Sequence, residues 1–112
     1  MARRTDRRER RLTAAPDWLE RETARAPEAL RNRVRHSVAG NRQEDVTPKA
    51  LAEAAGRALD RVLARPGNRA VALDLLAADA LVTLALLAQA QTSPDRLGDF
   101  AAAVLRDVSP PA

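Results

Sequence analysis

The sequence predicts an all-α fold: a small antiparallel helical bundle with three well-marked helices, one or two weaker helices ahead of them, and a flexible basic N-terminal tail. Three observations predict it. Alanine is abundant while aromatics are reduced to Trp18 and Phe100, a bias toward helix and away from sheet. Apolar residues recur at helical spacing through the second half of the chain, and no alternating segment suggests a strand. A capping residue followed by proline opens a helix twice, at Thr47-Pro48 and at Ser93-Pro94.

The elements follow in order. Residues 1–15 carry almost no apolar side chain beyond Leu12 and read as a disordered arginine-rich tail. Residues 16–47 hold short helices and a polar linker. Pro16 and Asp17 start a short helix to about Ala24 that can bury only Trp18 and Leu19. A second begins at Pro27 and stops at Gly40, with the narrow apolar stripe Leu30, Val34 and Val38. "GNRQEDV" is the linker.

Residues 48–108 are the expected helical core. Its first helix runs from Pro48 to about Arg65, with Leu51, Ala54, Ala55, Ala58, Leu59, Val62 and Leu63 on one side and Glu53, Arg57, Asp60 and Arg61 on the other. "RPGN" turns the chain through Pro66 and Gly67, and Asn68 is placed to cap a long helix from Arg69 to about Gln91. The last helix, started by "TSPD", presents Leu97, Phe100, Ala101, Val104, Leu105 and Val108 on one face. Residues 109–112 form a C-terminal tail.

The long helix is greasy enough to cross a bilayer, yet it carries Asp74 and Asp79. Its nine Leu and Val residues would contribute about −0.3 to −0.6 kcal/mol each, whereas each aspartate near the centre costs about +2.5 to +3.5. The sum does not favour a membrane span. At about 100° per residue, Leu73, Leu76, Ala77, Ala80, Leu81, Leu84 and Leu87 gather on one face and Val71, Leu75, Ala78, Val82 and Leu86 on the opposite one. Asp74 and Asp79 fall on the two seams between them.

Two apolar faces need two coverings. Neighbouring helices supply one; the other is covered either by the Pro27 helix and the Trp18 segment, as a monomeric four- or five-helix bundle, or by a second copy. The coiled-coil-like spacing of Val71, Leu75, Ala78, Val82 and Leu86 favours the second copy and marks those five as the candidate self-association face of a homodimer. The aspartates are candidates for interhelical polar pairs, with Arg57, Arg61, Arg65, Arg96 or Arg106 as partners.

The net charge of +4 is localised. Arg3, Arg4, Arg7, Arg8, Arg10 and Arg11 against Asp6 and Glu9 account for all of it, and the remainder of the chain is balanced. Those arginines are candidate contacts for nucleic-acid phosphate or for an acidic protein partner. Because only Lys49 among 19 basic residues is lysine, the arginine bias also fits a GC-rich bacterial genome. No apolar run of signal-peptide length follows the basic start, and a cytoplasmic location is expected.

Chemistry has little to work with. Without cysteine, thiolate metal sites and cysteine nucleophiles are excluded, and His36 is the single histidine. His36 and Ser37 are adjacent on a helix, so they diverge by about 100° and cannot act as base and nucleophile. No phosphate-binding glycine loop and no carboxylate-histidine metal motif occurs. The sequence therefore predicts no catalytic residues, cofactor, metal or small-molecule substrate, and a non-enzymatic interaction or assembly module. The alternative is a nucleic-acid-associated protein that grips phosphate through its basic tail.

Overall fold

A computed structural model describes residues 16–39, 46–65, 67 and 69–108. Among them the chain is all-α: α1 (Pro16–Glu22), α2 (Glu28–Ala39), α3 (Pro48–Ala64), α4 (Arg69–Thr92) and α5 (Leu97–Val108), with a short 3-10 turn at Pro94–Arg96. The expected basic tail, the cap at Gly40 and most of the "GNRQEDV" linker lie outside the described residues, as does the cap at Asn68.

Local chemistry sets the helix ends. Thr47 is extended, and its side chain accepts a hydrogen bond from the Ala50 N–H at 3.0 Å, with Pro48 in the first turn. Val46 just before the cap and Leu51 four residues into the helix are both buried, which is the spacing of a hydrophobic staple. Gly67 turns the chain with a φ of 90°, a conformation that side-chain-bearing residues rarely adopt. At the far end Gln89 secures the exit from α4. Its carbonyl accepts from the Ser93 N–H at 2.8 Å and its side-chain Nε2 donates to the Ser93 carbonyl at 3.1 Å.

The short turn folds α3 and α4 into an antiparallel hairpin. Arg61 meets Asp74 near the turn, and Pro48 and Gln89 border one notch at the opposite end. The interface is built from small residues: Ala54, Ala55 and Ala58 from α3, and Ala77, Ala78, Ala85 and Ala88 from α4, with Leu51, Leu81 and Leu84 as the larger fillers. α2 packs across both helices of the hairpin, bringing in Val34, and α5 returns against α4 and touches α3. α1 is anchored by Trp18 and Leu19, both in the core, and the Trp18 Nε1 donates to Gln91 Oε1 at 2.8 Å.

The long helix departs from expectation in its orientation. Its buried residues are Asp74, Ala77, Ala78, Leu81, Leu84, Ala85 and Ala88. On the helical wheel these form one continuous side that runs between the two apolar faces read from the sequence and contains the Asp74 seam. The opposite side contains Asp79. The helix is thus covered once, along a stripe of mostly small residues that lets α3 approach closely.

Candidate interaction surface

Asp74 is buried, with Arg33 Nε at 3.5 Å and Arg61 Nε at 3.4 Å from its Oδ1. Arg61 Nη2 donates to Ser37 Oγ at 3.2 Å, Ser37 Oγ donates to the Arg33 carbonyl at 2.9 Å, and Arg57 Nη2 donates to the Ser37 carbonyl at 3.1 Å. One carboxylate thereby ties α2, α3 and α4 together. Arg61 was among the partners expected for it. Arg33 was not, because α2 read as a weak helix with scattered arginines. Two guanidiniums converging on one carboxylate oxygen make a structural tie.

Asp79, the other aspartate expected in an interhelical polar pair, is placed differently. It is exposed on the side of α4 turned away from the core, and no arginine among the described residues pairs with its carboxylate. Its backbone carbonyl accepts from Thr83 Oγ1 at 3.0 Å. His36 is exposed, and among the described residues no three His, Asp or Glu side chains gather as a metal-binding group.

The face predicted for self-association divides. Ala78 is used by the chain's own core, Val71, Val82 and Leu86 are half-buried, and Leu75 is exposed. The reason is the rotation of α4: packing its alanines against α3 consumes one edge of that face and turns the other outward. What emerges on the surface is a strip shifted around the helix, with Arg69, Ala72, Leu76, Asp79 and Thr83 all exposed and Leu75 beside them. Leu75 is 52% and Leu76 54% exposed and the two are adjacent, whereas the more exposed Leu63 and Leu105, read from the sequence as lying on apolar faces, stand on α3 and α5.

Between this strip and α3 runs an open groove of about 470 Å³, lined by Ala55, Leu59, Leu75, Leu76, Ala78, Asp79 and Val82. Apart from Asp79 its lining is apolar. By length and composition α4 could also cross a membrane, with 33% of that stretch buried inside the fold. The six candidate contacts Arg3, Arg4, Arg7, Arg8, Arg10 and Arg11 lie outside the described residues. No family model, curated protein or solved structure matches this chain.

Proposed function

We propose that this protein is a small non-enzymatic helical module that works in the cytoplasm by associating with a second copy of itself through the outward side of α4. The observation that carries the reading is the pair Leu75 and Leu76, each half exposed on the back of a helix whose other side is the core. Covering them is worth about 1 kcal/mol each. The adjoining groove offers further apolar surface.

Protein suits this surface better than lipid. α4 carries Asp74 with two arginines on one side and Asp79 on the other, and a bilayer would have to accept both. The test is the solution mass of the full chain. Leu75→Glu combined with Leu76→Glu is expected to convert an associating protein into a folded monomer by light scattering, with helix content unchanged by circular dichroism. Association that persists unaltered in this variant, or a wild-type chain that is monomeric at millimolar concentration, would overturn the reading. Flotation with neutral and anionic vesicles that is lost in the same variant would reassign the face to lipid.

A second reading rests on the charge distribution, since the first 11 residues hold the entire net charge. In it, paired arginine tails of an associated protein grip phosphate with salt-sensitive, sequence-independent affinity. Deleting residues 2–11 should then abolish retention on DNA at low salt. Equal retention of the truncated chain would exclude it.

A further inference from the structure

Arg69, Ala72, Leu76 and Asp79 are spaced three, four and three residues apart, all exposed, along the outward side of α4. This is a heptad seam, with Arg69 and Leu76 at one type of core position and Ala72 and Asp79 at the other. Its order is self-complementary. Read forward it is basic, small, large, acidic; read backward it is acidic, large, small, basic. The two ends sit about 15 Å apart along the helix axis.

Resting on the self-association reading above, we infer that the second copy docks antiparallel on this seam, about a two-fold axis midway between Ala72 and Leu76, with Arg69 of each copy on Asp79 of the other. In an antiparallel pair of helices the two kinds of seam position face each other across the interface. Arg69 then meets the partner's Asp79, Leu76 fills the space left by the partner's Ala72, and both relations occur twice. Leu75 lies close to the axis, where it meets its own symmetry mate. A parallel pair would instead set Arg69 against Arg69 and Asp79 against Asp79, placing like charges at both ends.

Both charges are exposed. Among the described residues neither Arg69 nor Asp79 has an ion-pair partner within the chain, whereas Asp74, Glu20, Arg31, Arg33, Arg35 and Arg61 all do. Ala72 at the crossing point permits close approach of the two backbones. The match of charge, together with a large side chain opposite a small one, selects a second copy of this chain as the occupant and fixes its direction.

The experiment is a charge-exchange series on the full chain, read as the dimer dissociation constant by sedimentation equilibrium at low salt. Asp79→Arg and Arg69→Asp each replace two attractive contacts by two repulsive ones, so each is expected to weaken association by about tenfold to a hundredfold. Combining the two substitutions remakes both pairs with their signs exchanged and should restore affinity to within a few-fold of wild type. Both positions are exposed, and unchanged circular dichroism confirms that each variant folds. A dimer whose affinity is indifferent to both single changes, yet is lost in Leu75→Glu with Leu76→Glu, would overturn the antiparallel register and leave self-association standing. Weakening in both singles with no recovery in the double would overturn the reciprocal pairing in the same way. A wild-type monomer would remove both proposals.

Discussion

Asp74, in the second turn of α4, and Arg61, in the last turn of α3, meet at 3.4 Å across the mouth of the hairpin, and Arg33 of α2 reaches the same carboxylate oxygen at 3.5 Å. The carboxylate side chain is 10% exposed while the arginines are 31% and 42% exposed. The burial falls mainly on the anion.

Asp74→Asn should therefore cost more than loss of either arginine. Removing the charge leaves two guanidiniums close together with no counter-ion, although their partial exposure lets water screen them, so a cost of about 1–2 kcal/mol is expected. Arg33→Ala and Arg61→Ala should each cost less, because the other arginine still serves the carboxylate. Urea denaturation of the three single variants and of the double arginine variant tests the order. Because the arginines share one partner, their effects should not add.

Trp18 joins the N-terminal helix to the end of the long one. The residue is 2% exposed, and its Nε1 donates to Gln91 Oε1 at 2.8 Å. Trp18→Ala should cost about 3 kcal/mol through lost packing and should free α1 from the bundle. Gln91→Leu should cost under about 1 kcal/mol, since Gln91 is exposed and water can take its place on the indole. Hydrogen exchange of the α1 amides, accelerated in the first variant and nearly unchanged in the second, would separate packing from the hydrogen bond.

The helix boundaries were legible because proline, threonine and glycine act locally. Thr47 caps, Pro48 starts and Gly67 turns, whatever the rest of the chain does. The rotation of α4 was not legible. A wheel weighted by hydropathy places leucines inward, whereas this chain buries Ala77, Ala78, Ala85 and Ala88 against the alanines of α3 and leaves Leu75 and Leu76 outside. Which side of an alanine-leucine helix is buried depends on the size of what faces it, and that is a property of the pair. The same limit hid Asp74 on the core side and its partner Arg33. Val46, read as part of a polar linker, is buried because it sits one residue before a cap.

Glu20 on α1 provides a pH-dependent tie to α2. Arg35 holds it by two hydrogen bonds, of 2.7 and 3.1 Å, and Arg31 by one of 3.0 Å. The Arg35 hydrogen bonds first, then that of Arg31, lower the Glu20 pKa below its usual value. A carboxylate with a depressed folded-state pKa adds stability that is present above its unfolded value and is lost as pH falls through the folded one. The melting-temperature difference between wild type and Glu20→Gln should accordingly be small, constant near neutral pH, and vanish only in the acid range below the ordinary glutamate value. It should also shrink with added salt, because the groups are partly exposed.

The alanine interface makes the hairpin sensitive to added volume. Ala54 and Ala85 are both fully buried between α3 and α4, and neither helix can back away without opening the core around Leu51 and Leu81. Ala54→Leu adds three carbons where small residues permit the close approach, so it should destabilise by about 1–3 kcal/mol, and Ala85→Leu likewise. Ala72→Leu makes the same chemical change on the exposed side of α4 and should alter monomer stability by less than about 0.5 kcal/mol. Urea denaturation at a concentration low enough to keep the chain monomeric compares the three directly. If Ala54→Leu and Ala72→Leu were equally tolerated, α4 would not be seated on α3 by its alanines, and the outward placement of Leu75 and Leu76 would lose its physical cause.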